Sequence, residues 1–330
     1  MLYQLPENLN HLPNFRKKQI HHAIWGDYIS EWSDATTLPK DLLKELEQSL
    51  PINIAGENFH STDQQTCKTV IELEDEKKIE TVLMQHKDDR NTICLSTQVG
   101  CVMNCSYCAT GQMGFSRNLT ADEIIMQILF WARYLKKSKR KITNVVFMGM
   151  GEPFLNYDNV MKSISIINSP DFFNIGARRI SISTCGITEG IKKLANQPLQ
   201  INLAISLHAP NDKVRNQIMT INKKYSVNKI MVAVDQYVTK TNRKVMFEYL
   251  LLKDVNDKPE HARELATLLD NHLYMVNLVK YNPSNSAFSP TPINKFQKFK
   301  SILQVAGINV TERHSFGQDI NAACGQLANK

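Results

Sequence analysis

The chain lacks most of what would mark an exported or membrane-bound protein. No apolar run approaches the roughly 20 residues that a membrane helix needs. The opening residues, MLYQLPENLN, carry no basic segment followed by an apolar stretch, so no secretory leader is expected. Seven cysteines, an odd number at irregular spacing, do not make a disulfide framework. No segment is of low complexity and none repeats. These absences point to a cytoplasmic, reducing environment without membrane contact.

What is present suits a large globular protein. At 330 residues, 42% hydrophobic and 22% charged, the chain can build one large α/β domain with a smaller one appended, and its core needs no covalent staples. Basic residues outnumber acidic ones 39 to 32, a mild lean toward a polyanionic partner. The sharpest basic stretch is RYLKKSKRK, Arg133 to Lys141, with six basic residues in nine. It reads either as a solvated helix end, where Lys and Arg are favoured, or as an RNA contact.

Residues 1–66 read as helical, because FRKKQIHHAIW and PKDLLKELEQSL carry apolar positions at helical spacing. TVIELE and IETVLMQH, separated by DEKK, read as a β-hairpin linker over 67–91. From about residue 92, six β-rich runs alternate with helix-like segments: TICLST, ITNVVFMG, RISIS, QINLAIS, KVMFEYL and YMVNLVK. Between the first two, Thr120 and Glu123 form a capping box that opens an amphipathic helix. Six units predict a parallel sheet with right-handed crossovers, too few for a closed eight-stranded barrel. In an open or partial barrel, ligands bind at the C-terminal ends of the strands. The segment AGINVTERHSFGQDINAACGQL reads as one more strand and then a tail carrying Cys324.

Four of the seven cysteines fall within CLSTQVGCVMNCSYC. Cys101, Cys105 and Cys108 are spaced C-x3-C-x2-C, and Cys94 stands apart, seven residues upstream. Three soft thiolates this close suit a metal site. A structural zinc wants four ligands, often as two pairs, and no second C-x2-C pair exists here; a zinc site would have to recruit Cys94. A cubic iron–sulfur cluster held by three cysteines keeps one iron open. The spacing, with Tyr107 before the last cysteine, resembles the radical S-adenosylmethionine (SAM) superfamily. That likeness implies a 4Fe–4S cluster whose open iron chelates SAM, and which cleaves it by reduction to a 5′-deoxyadenosyl radical. FMGMGEP, with Gly149, Gly151 and Glu152, resembles the superfamily's SAM-contacting segment, although a tight turn also needs glycine. Ser183, then Ser206, Leu207 and His208, then Asn282 also sit at successive strand ends and form the candidate cofactor-lining set.

Six ordered motifs narrow the likeness: CATGQMGFSRNLTADEI, MGMGEPFLNYDNV, ISTCGI, AISLHAP, YNP and GQDINAACGQL together resemble the RlmN/Cfr-type RNA adenine methyltransferases. The likeness runs from about residue 12 through residue 327. It implies an α/β fold: a partial (β/α)6 radical SAM barrel over 92–306, an N-terminal helical accessory domain over 1–66 that engages RNA, and a C-terminal extension over 307–330. It also implies methylation of an adenine carbon in 23S rRNA and, in the carbon-2 branch, of the adenosine 3′ of certain tRNA anticodons.

Carbon-2 of adenine is not a nucleophile, so it cannot take a methyl group from SAM by simple displacement. The resemblance implies a relay instead. One SAM methylates the Cys324 thiolate, a second yields the radical that removes hydrogen from that methyl, and the methylene radical adds to the adenine ring. A base removes the ring proton, and Cys94 attacks the sulfur of Cys324, freeing the product and leaving a transient disulfide. Glu80 matches the family's base, with Asp88 or Asp89 as weaker candidates; Cys67 and Cys185 match no role and read as structural. Further implied are an electron donor such as flavodoxin or ferredoxin and a monomeric state. Pro153 and Asn156 resemble the carbon-2 branch rather than the carbon-8 branch associated with antibiotic resistance. A non-catalytic zinc RNA-binding module is the alternative of a different class.

Overall fold

The six β-rich runs all become strands of one sheet. The computed structural model describes residues 3–284 and 287–328. Strands β1 (Gly56–His60), β2 (Thr66–Glu72), β3 (Lys78–Gln85) and β4 (Asn91–Cys94) pair antiparallel in that order. The short strands β5 (Gln98–Gly100) and β6 (Phe115–Asn118) form a separate antiparallel pair. From β4 onward the main sheet is parallel, through β7 (Asn144–Phe147), β8 (Ile180–Thr184), β9 (Asn202–Ser206), β10 (Val245–Leu251), β11 (Tyr274–Lys280) and β12 (Asn309–Arg313). The order is β1-β2-β3-β4-β7-β8-β9-β10-β11-β12, so the two ends are not paired and the barrel stays open.

Two features differ from the reading of the sequence. The hairpin over 67–91 is not a linker: β2 and β3 extend the barrel sheet itself, and Glu80 pairs with Val70 inside it. Strand β1 lies in the segment expected to be helical, and its short, mostly exposed sequence GENFH gave no apolar alternation to reveal it. The further strand expected in the C-terminal segment is present: β12 pairs with β11 in parallel.

The helix Ala121–Lys136 ties two cores together. Its capping box is formed: the Glu123 N–H donates to Thr120 Oγ1 at 3.2 Å, and the Thr120 N–H donates to Glu123 Oε2 at 2.8 Å. Ile124, Ile128, Trp131 and Leu135 join the barrel core. Ile125 and Leu129, one step round the helix, join a second core built by residues such as Leu9, Ile20, Trp25, Trp32, Leu46 and Ile52. The helices Asn14–Trp25 and Lys40–Ser49 belong to that second core.

Candidate active site

One cavity lies at the C-terminal ends of the parallel strands, and all five motif cysteines line it: Cys94, Cys101, Cys105, Cys108 and Cys324. The trio sits on the excursion between β5 and β6. Its base is closed by the Cys101 N–H donating to the Gly114 carbonyl at 2.9 Å, and Gly100 is required there. With φ +73, a Cβ at Gly100 would lie 1.9 Å from that carbonyl oxygen. Thr220 Oγ1 donates to the Met103 carbonyl and the Ser106 N–H to the Ile218 carbonyl, pinning the loop to the barrel.

Burial pushes the Cys101 thiol up to about 12 and raises Cys105 and Cys108 as well. The three thiols sense one another electrostatically, Cys101 acting on Cys105 and Cys108 acting on both. Among the described residues no three His, Cys, Asp or Glu side chains lie close enough to hold a single metal ion. Ligands of one zinc, each about 2.3 Å from the metal, must crowd together, whereas the corners of an iron–sulfur cube stand further apart. An all-thiol donor set of three round a shared cavity fits an iron–sulfur cube, with its fourth iron left open.

The same cavity is lined by Cys94 at the end of β4 and Cys324 in the C-terminal loop. Cys94 is buried and Cys324 is exposed. Burial, then the neighbouring Cys324, pushes the Cys94 thiol up to about 12, while Arg313 opposes the shift. Arg313, the last residue of β12, is held above its ordinary range by Cys324 first and by Glu248 and Cys94 next. Its Nη1 lies 3.4 Å from Glu248 Oε1 and 3.1 Å from Met148 Sδ. All seven cysteines are free thiols.

The Cys324 loop is held from several sides. The Asn282 side chain donates to the Cys324 carbonyl at 3.3 Å, the Ala109 N–H to the Gly325 carbonyl at 2.8 Å, and Thr110 Oγ1 to the Leu327 carbonyl at 2.6 Å. Gln326 Nε2 donates to the Pro283 carbonyl at 2.9 Å. Cys324 and the cluster loop are therefore neighbours by construction.

Gly151, Glu152, Ser183, Ser206, His208 and Asn282 all line the cavity. Gly151 has φ +98, and a Cβ there would meet the Gln98 side chain at 2.5 Å. Glu152 is buried and its pKa is raised by that burial, although it accepts from the N–H groups of Cys185 at 2.8 Å and Phe154 at 3.0 Å. Ser183 and Ser206 hydroxyls lie 3.2 Å apart. Burial lowers His208 to about 3, so the ring is neutral, and its Nδ1 accepts from the Leu250 N–H at 3.0 Å.

Two expected residues lie outside the cavity lining. Leu207 is fully buried, and its backbone bonds to Glu248 and Arg215. Glu80 is fully buried on β3, 2.8 Å from Lys68 Nζ, and its Oε2 accepts from the Ala328 N–H at 2.7 Å. Asp88 pairs with Arg90 at 2.8 Å, and both it and Asp89 sit exposed in the turn before β4. Cys67 packs in β2 away from the cavity, whereas Cys185 lines it.

Residues 95–266 match the family model described as the radical SAM superfamily. The chain is 45% identical over 316 residues to the probable dual-specificity RNA methyltransferase RlmN of Dictyoglomus thermophilum, covering 96% of this chain and 90% of that one. It is 41% identical over 342 residues to the ribosomal RNA large subunit methyltransferase N of Nitrosopumilus maritimus, covering 99% and 97%. The chain belongs to the RlmN family of radical SAM RNA methyltransferases. The crystal structure of a radical SAM methyltransferase from Sphaerobacter thermophilus superimposes with a TM-score of 0.94 at 42% identity, covering 98% of this RlmN-type chain and 96% of that one. As in the superfamily generally, the cofactors of this RlmN-type enzyme are a 4Fe–4S cluster and SAM.

The motif reading of this RlmN-type chain missed Arg313 and Glu248. Both fall in runs read for their strands, KVMFEYL and AGINVTERHSFGQDINAACGQL, and they meet because β10 and β12 flank β11.

Proposed function

We propose that this chain methylates carbon-2 of an adenine in 23S rRNA and of the adenosine 3′ of the anticodon in some tRNAs, with Cys324 carrying the methyl group and Cys94 releasing the product. The observation that carries this reading is the shared cavity: a carrier thiol, a second thiol and the three cluster cysteines face one space. A cluster whose only job was to cleave SAM would not explain the two extra thiols.

Cys101, Cys105 and Cys108 are the residues that hold the cluster, and Gly151, Glu152, Ser183, Ser206 and His208 line the place for SAM. Bound there, the reduced cluster supplies the electron that breaks a carbon–sulfur bond of SAM. Asn282 acts on the Cys324 side, fixing the loop that carries the methyl group. Arg313 lies among Cys94, Cys324 and Glu248, and its charge favours the thiolate of Cys94 against the effect of burial. After the ring proton leaves, the Cys94 thiolate attacks the Cys324 sulfur. By then the adduct has also given up its unpaired electron to an external one-electron acceptor. The bond from that sulfur to the methylene on adenine breaks, its electron pair stays on the methylene carbon, which takes up a proton to become the methyl group, and a disulfide forms that a thiol reductant resets.

Glu80 is the proposed proton acceptor. Its Oε1 lies 2.8 Å from Lys68 Nζ, and the Ala328 N–H occupies Oε2. Proton removal by Glu80 therefore requires the segment after Cys324 to lift. Phe316 lines the cavity with edge contacts to His86 and His314, ring centroids 4.9 and 4.7 Å away, and offers a face on which an unstacked base can lie. A low-potential protein such as flavodoxin or ferredoxin would supply electrons to a monomeric enzyme.

Nucleoside mass spectrometry tests the proposal, using RNA incubated anaerobically with reconstituted protein, SAM and a reductant. The expected product is 2-methyladenosine. 8-Methyladenosine would keep the relay and move the chain to the other branch, and absence of both despite SAM cleavage would reject the proposed substrate.

A further inference from the structure

We infer that the groove between the N-terminal helical unit and the end of the helix Ala121–Lys136 binds a backbone phosphate of the RNA substrate, with Arg133 as its central cation. The inference rests on RNA being the substrate and adds a contact remote from the cysteine cavity.

Arg133 is out of place in its own stripe. It follows Ile125 and Leu129 at spacings of four along the helix face that enters the N-terminal core, where a third apolar residue is expected. It is only 8% exposed. Its Nη1 donates to the Ile52 carbonyl at 2.8 Å, but Nε and Nη2 are buried with no hydrogen-bond partner. Arg215, the other deeply buried arginine, shows what a structural role looks like. All three of its nitrogens are used, by the carbonyls of Leu207, Tyr225, Cys185 and Ser206 and the side chain of Asn222. A buried guanidinium left with open donors is costly, and it calls for a missing water or ion.

The groove that Arg133 lines is built to supply an anion's other contacts. Lys18 comes from the helix Asn14–Trp25, Thr36 and Thr37 from the following segment, and Lys136 and Lys137 from the helix end. Two carboxylates share the wall: Asp27 lies 3.7 Å from His22, and Asp34 accepts from the Ser30 N–H at 3.3 Å while its charge partly offsets the burial of Arg133 without bonding to it. Lys136 is engaged by the Asp27 carbonyl, which leaves the exposed Lys18 and Lys137 as the rim cations. Burial lowers Arg133 to about 10, so it keeps its charge at neutral pH. The planar guanidinium matches a phosphate in two-pronged fashion once its side chain swings toward the groove. Lys139, Arg140 and Lys141 follow the helix end in sequence and are exposed.

The test measures RNA affinity across a salt series for the full chain and for Lys18→Glu, Lys137→Glu and Arg133→Met, with Tm recorded for each. Each rim variant is expected to weaken RNA binding about tenfold near 0.1 M salt and to lower the salt slope by about one. Arg133→Met is expected to weaken binding similarly while raising Tm, because it removes a buried charge whose Nε and Nη2 make no hydrogen bond. A structural arginine would instead lower Tm and leave affinity alone, which overturns the inference. Unchanged RNA affinity in both rim variants overturns it whatever Arg133→Met does. Inorganic phosphate separates the two sources of the same chemistry: if it raises the Tm of the wild type but not of Arg133→Met while RNA affinity is unchanged throughout, the groove serves free phosphate and the RNA assignment fails. If the rim variants lose affinity but the wild type makes no methyladenosine, the groove stands and the proposed reaction fails. The reverse pattern rejects the groove alone.

Discussion

At the residue scale the two extra thiols are unequal, and that inequality makes predictions. Cys324→Ala should still cleave SAM reductively but give no methylated RNA; any methylated nucleoside in the digest refutes the carrier role. Cys94→Ala should stall with protein covalently attached to RNA, visible as a shifted band on a denaturing gel, and clean turnover would assign the resolving thiol elsewhere. Because burial pushes Cys94 up to about 12, only a small fraction is thiolate at neutral pH. Below that value the thiolate fraction rises roughly tenfold per pH unit, so single-turnover breakdown of the adduct should accelerate from pH 7 to 9. A flat profile would show that a proton acceptor, not thiol ionisation, controls the step. Glu80→Gln should leave SAM cleavage intact and slow product formation by about 100-fold or more, as loss of a general base does. A normal rate would leave Glu80 as the anchor of Ala328 and nothing more.

At the scale of elements, much was legible beforehand. The six parallel strands announced themselves as Val- and Ile-rich runs, and Thr120 and Glu123 marked the start of their helix by chemistry that operates within four residues. Replacing Thr120 by Ala should cost about 1 kcal/mol, read as a lower urea midpoint. Gly151→Ala should cost more and disturb SAM binding, because φ +98 and the Gln98 side chain both reject a Cβ beside Glu152. What stayed hidden depends on long-range pairing. Glu80 reads as a solvent-facing hairpin residue until β2 and β3 are seen to continue the barrel sheet, which buries it against Lys68. Leu207 sits between two cavity-lining neighbours in sequence, yet just past the end of β9 it is fully buried in the barrel core.

At the scale of the whole molecule, the N-terminal unit and the barrel share one helix as a common wall. A chain beginning at residue 53 would expose Ile125 and Leu129, both fully buried at present. Such a truncation is expected to self-associate by light scattering, and a stable, monodisperse product would show the two cores to be independent. The larger consequence lies in the sheet's unpaired ends, β1 on one side and β12 on the other. Among the described residues no strand closes that seam; the segment after β12 does, with Asp319 accepting from the Thr62 N–H at 2.7 Å, Phe316 set against His86, and the Ala328 N–H donating to Glu80 at 2.7 Å. The stretch that carries Cys324 is therefore also the latch of the barrel, and whatever loosens one edge of the sheet moves the thiol with it.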